Sequence, residues 1–132
     1  MIKFRKGNSK MTIWKMVLEN ENDEVDFNLY QELAQRTSAT TTSKDKIENG
    51  LMGLNGEAGE AIDILKKHRF QGHDLDMVKI KDEASDVLWY LAEICTGLGI
   101  TMEELARHNI GKLYNRYPEG FEVDKSLNRG GD

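Results

Sequence analysis

The chain has 132 residues, 39% of them hydrophobic and 31% charged, enough for one domain with a core and too short for two ordinary ones. A formal charge of −5 argues against a general polyanion-binding surface, so a nucleic acid polymer is not an expected partner. The single cysteine, Cys95, permits no internal disulfide, which suits a reducing, cytoplasmic setting.

Met1 to Val25 is mixed: basic at first, apolar from Thr12 to Leu18, then acidic from Glu19 to Glu24. The apolar part is broken by Lys15, too short for a membrane span, and fits a strand or a helical turn equally. It reads as an extension, 1–25, that packs on the main body or on a second subunit. Asp26 to Arg36 predicts a first helix, with Phe27, Tyr30, Leu33 and Ala34 at helical spacing. Thr37 to Ser43, mostly Ser and Thr, reads as a flexible connection.

A second helix is expected to start within Lys44 to Glu48 and to run to about His68, on a stripe of Leu51, Leu54, Ala58, Ala61, Ile62 and Leu65. Gly50, Gly53, Gly56 and Gly59 oppose it, each by up to about 1 kcal/mol against Ala, unless they let a neighbouring helix approach closely. Phe70 to Asp74 is a turn. A third helix follows from about Asp76 to Thr96, ending at Gly97 and Gly99, with a stripe of Ile80, Ala84, Val87, Leu88, Leu91, Ala92, Cys95 and Leu98. Thr101 to Glu104 is a capping box opening a fourth helix to Arg116, which Pro118 and Gly120 stop. The segment 122–132 reads as a polar, loose tail. Fold class is thus all-α, with a helical domain over 26–121.

Two acidic pairs carry the chemistry. Glu57 and Glu60 lie in the second helix, and Glu83 and Asp86 in the third, each pair spaced to share a helix face. Glu57 and Glu83 border the apolar stripes, so the acids sit where the helices meet. The turn makes these helices antiparallel, which brings the pairs to similar heights. Two such charges about 5 Å apart repel by roughly 3 kcal/mol at an effective dielectric of about 20. A hard divalent cation relieves this, and an all-carboxylate cluster without Cys or His suits Mg²⁺ or Mn²⁺ better than Zn²⁺.

Gly56-Glu57-Ala58-Gly59-Glu60, Glu83 to Leu91, and Asn109 to Leu113 with Arg116-Tyr117-Pro118 together resemble the MazG-like nucleoside triphosphate pyrophosphohydrolases. The likeness spans roughly Phe27 to Phe121. It implies a four-helix MazG-like module that cleaves a triphosphate between the α and β phosphates. Glu57, Glu60, Glu83 and Asp86 then match the Mg²⁺-binding acids. Asn109 and Lys112 match positions that approach the phosphates, and Arg116 assists. Homodimers or homotetramers are implied, as is a role in clearing unwanted nucleotides. Glu57 or Glu60 is the candidate general base.

Other residues carry weaker signals. Lys66 and Lys67 fit helix-end lysines better than phosphate ligands. Trp89 and Tyr90 fit the bundle interface better than a base contact. Glu93 reads as an outer partner of the acids or as solvated. His68, His73 and His108 share no metal-ligand spacing, and the lack of an ExxH pair speaks against a ferritin-like di-iron bundle. A catalytically silent nucleotide or metal binder, or a structural dimerisation module, would share the same pattern.

Overall fold

The computed structural model describes Val17, Leu18 and residues 24–128. The expectations for most of Met1 to Val25, and for the last four residues of the tail, lie outside the described residues. Within 24–128 the chain is all-helical: α1 (Phe27–Gln35), α2 (Ser43–Gln71), α3 (Met77–Leu98), α4 (Met102–Arg116) and a short α5 (Val123–Leu127). No helix among them is long and apolar enough to cross a membrane.

Side-chain caps set most of the helix starts. Asp26, Thr42 and Asp76 accept the backbone N–H three residues on, and Thr101 with Glu104 forms the full capping box. Each such cap contributes about 1 kcal/mol. α2 therefore begins at Ser43, one residue before the expected window, because Thr42 is the cap. It runs three residues past His68 to Gln71, and Gly72, with a φ of 73°, supplies the left-handed C-terminal turn. The connection to α3 is correspondingly 72–76. α3 ends at Gly99 (φ 71°) and not at Gly97, which is buried inside the helix. The tail is not wholly loose, since Val123–Leu127 forms a helical turn without a side-chain cap.

The body of the molecule is the antiparallel pair α2–α3, with α1 laid against α3. Gly50 faces Ile94 and Gly53 faces the Tyr90 ring so closely that a Cβ at either would overlap them. Gly97 repeats this at the other end, where a Cβ would lie 2.8 Å from Ile47 and 2.9 Å from the Ser43 carbonyl. These contacts fix the register: positions ascending along α2 meet positions descending along α3. Gly56 and Gly59 differ, having no neighbour within 4 Å. Close approach explains only half of the glycine series.

The core is Ala34, Ala92, Cys95 and Met102, with Tyr30, Leu88, Trp89, Leu91, Ile100 and Leu105 packed on it. Burial raises the Cys95 thiol, in keeping with an inert core residue. The expected stripes are only partly covered: Leu51, Ile62 and Leu65 of α2, and Ala84 and Leu98 of α3, are exposed. Gln31 ties the top of the fold together. Its amide donates to the Ile100 carbonyl (3.0 Å) and to Thr96 Oγ1 (3.1 Å), and its oxygen accepts the Met102 N–H (2.7 Å). α4 is anchored there by its first turns, and residues 107–115 are all exposed.

Candidate functional site

The register that seats Gly50 on Ile94 and Gly53 on Tyr90 continues one turn further to the acids. Oxygens of Glu57, Glu60 and Glu83 lie within 4.8 Å of one another. Glu57 and Glu83 are half-buried in the α2–α3 seam, while Glu60 and Asp86 are exposed at its edge. Asp86 is outside that tight trio, yet it lines with Glu57, Trp89 and Tyr90 an open depression of about 340 Å³. The four acids thus share one stretch of the seam, three of them as a close cluster.

Their mutual repulsion is visible at Glu57. Partial desolvation, then the charges of Glu60 and Asp86 and a hydrogen bond and charge from Glu83, push its carboxyl above the usual range. Among the described residues no Lys or Arg adds to the shift of Glu57. Asp63 takes both nearby lysines, Lys66 and Lys67 (2.6 Å to the latter), and they hold its carboxyl down to about 2. The two lysines therefore serve a local helical ion pair. A crowded cluster of hard oxygen donors, with the charge of Lys67 felt at Glu60 but not at Glu57, is chemically suited to a divalent cation such as Mg²⁺.

Trp89 and Tyr90 wall the depression on one side, edge to face at 5.0 Å and 88°. Tyr90 packs over Gly53, as an interface aromatic should. Trp89 donates its indole N–H to Thr37 Oγ1 at 2.8 Å. Tyr30, read from the sequence only as a core position, also belongs to this neighbourhood. Burial and then the Asp86 charge raise its hydroxyl. Its place in the apolar stripe of α1 gave no hint of that.

Glu93 is neither solvated nor an outer partner of the acids. It is fully buried and accepts hydrogen bonds from Gln35 (2.8 Å), Ser38 (2.8 Å) and Thr40, with Lys46 3.6 Å away. The connection 37–42 is accordingly pinned down. The available signal was an acid one turn beyond Trp89 and Tyr90 and one turn before Gly97, preceded in the chain by a run of hydroxyl residues.

Asn109 and Lys112 stand exposed on α4, and Arg116 is half-buried at its end. Neither Asn109 nor Lys112 is among the described residues that line the depression or shift Glu57. At 100° per residue they share one face of α4. His68 is exposed, its Nδ1 2.8 Å from the His73 carbonyl, which agrees with a surface role.

The family model for the MazG nucleotide pyrophosphohydrolase domain matches residues 45–121, which take in α2 from its third residue, α3, α4 and all four acids. The "Gene 37 protein" of Mycobacterium phage L5 is 32% identical over 82 residues, covering 59% of this chain and 72% of the phage protein. No solved structure matches the chain significantly.

Proposed function

The chain belongs to the MazG nucleotide pyrophosphohydrolase domain family, and from that membership we propose that it hydrolyses a dNTP or NTP to the monophosphate and pyrophosphate, with Mg²⁺ or Mn²⁺. The observation that carries the reading is the convergence of Glu57, Glu60 and Glu83, with Asp86 beside them, on one seam. When bound there, the cation would offset the triphosphate charge and lower the pKa of water.

The residues divide the rest of the work. Glu57 or Glu60 accepts the proton of the attacking water as its oxygen bonds to the α phosphorus. The bond from the α phosphorus to the bridging oxygen breaks, and its electron pair leaves with pyrophosphate. Lys112 offsets that charge, while Asn109 and Arg116 orient the phosphates. Since Asn109 and Lys112 stand exposed on α4 and do not line the depression, the reading includes a homodimer or homotetramer in which α4 of one chain completes the site of another. The setting proposed is the cytoplasm, with a role in clearing unwanted nucleotides.

A screen of the common dNTPs and NTPs for pyrophosphate release, with and without Mg²⁺, tests this directly. Release only with the divalent cation is expected. Thermal stabilisation by nucleotide without release indicates a silent binder instead. Glu60→Gln and Glu83→Gln are each expected to lower turnover by roughly a hundredfold or more. Wild-type turnover in both, at saturating Mg²⁺, would falsify the assignment.

A further inference from the structure

Glu93 has no solvent exposure and sits on α3 two turns beyond Asp86. All of its polar partners come from one short stretch, Gln35 to Lys46. Gln35 Nε2 reaches one carboxylate oxygen, Ser38 and Thr40 hydroxyls reach the other, and Lys46 stands beside the first. Lys46 Nζ also donates to Gln35 Oε1 (3.0 Å), Ser38 Oγ (2.9 Å) and Thr40 Oγ1 (3.3 Å), which closes the network. A surface connection rich in Ser and Thr is ordinarily among the most mobile parts of a domain. This one is tied to a buried charge whose own desolvation is costly.

Thr37 lies in the chain between Gln35 and Ser38, both held by this network. Its hydroxyl proton goes to the Ala34 carbonyl (2.7 Å), so only lone pairs face the indole N–H of Trp89 at 2.8 Å. Trp89 lines the depression beside Glu57 and Asp86. Its volume of about 340 Å³ is at the small end of ligand pockets, enough for a planar base.

We propose that Glu93 is a positioning residue for the nucleoside end of the substrate: with Lys46 it pins the 37–42 connection, so that Thr37 holds the Trp89 indole as a wall on which a nucleobase stacks. This rests on the triphosphate reading above and extends it to the base. Stacking favours a flat aromatic base of any identity, since every base offers a π face.

The sequence holds two tryptophans, Trp14 and Trp89, so a Trp14→Phe background lets emission report Trp89 alone. Thr37→Val is expected to raise acrylamide quenching of Trp89 and to raise KM for the best dNTP roughly fivefold or more, with kcat within about twofold. Thr37→Ser restores both, and Glu93→Gln shifts both in the same direction as Thr37→Val. Should Glu93→Gln fail to fold by circular dichroism, the Ser38→Ala/Thr40→Val double variant loosens the same connection with the carboxylate in place and takes over its arm. Wild-type emission or wild-type KM in Thr37→Val overturns the Thr37–Trp89 link. The expected Thr37→Val result with no change in Glu93→Gln or its substitute overturns the part given to Glu93. If the wild-type chain releases no pyrophosphate, the preceding activity fails by itself. Dissociation constants from Trp89 quenching by the four dNTPs with Mg²⁺ then replace KM and decide the positioning role.

Discussion

The Glu57 carboxyl is held above the ordinary range by desolvation and by its acidic neighbours, so the folded chain binds a proton there more tightly than the unfolded chain. Its contribution to stability is full at low pH and is lost as pH rises through the raised value. Metal-free Glu57→Gln should therefore melt higher than wild type at neutral pH, and Mg²⁺ should stabilise wild type more than the variant. Equal Mg²⁺ shifts in thermal melts would remove Glu57 from the ligand set. Glu93 has the opposite sign. Burial alone would raise its carboxyl, but hydrogen bonds from Thr40, Gln35 and Ser38 and the Lys46 charge outweigh that and hold it low. Its contribution is present above the unfolded carboxylate value and disappears as pH falls through the folded one. Lys46→Met leaves that buried charge with hydroxyl and amide partners only, and urea unfolding should show a loss of about 2 to 4 kcal/mol.

Along α2, glycines at the same spacing have different physical reasons. Gly53 meets the Tyr90 ring, so Gly53→Ala forces the ring aside and should cost about 1 to 3 kcal/mol. Gly56 faces open space, so Gly56→Ala should stabilise by about 0.5 to 1 kcal/mol through helix propensity alone. Paired melting curves decide this, and destabilisation at Gly56 would mean that another chain or the substrate packs there. Such differences set how far the sequence could be read. The capping box at Thr101, the helix end at Gly99 and the i, i+3 acidic pairs are local signals, so helix order and the seam of acids were legible. The burial of Glu93 was not, because its hydrogen-bonding partners lie more than fifty residues back in the chain and make it core only after α1 has docked. The five-residue α5 lacks a side-chain cap and is too short to show periodicity.

For the molecule as a whole, the most telling feature is how much apolar surface a single chain leaves outside. Leu51 and Ile62 are 56% and 68% exposed, and Leu65 falls on the same face of α2. On α4, Ile110, Leu113 and Tyr114 form an exposed flank next to the face that carries Asn109, Lys112 and Arg116. Patches of this kind on a small domain mark contact surfaces. If the α4 flank docks on another chain, burying it also carries Lys112 to that chain's phosphates, and assembly and activity are then one property. Ile110→Glu puts a charge into such an interface without touching the acids. On the proposed reading wild type sediments as a dimer or tetramer, and the variant is expected to sediment as a monomer and to lose pyrophosphate release while keeping its helical content. A wild-type chain that sediments as a monomer at assay concentrations and still turns over would break the link, because Lys112 would then have to reach the seam within its own chain.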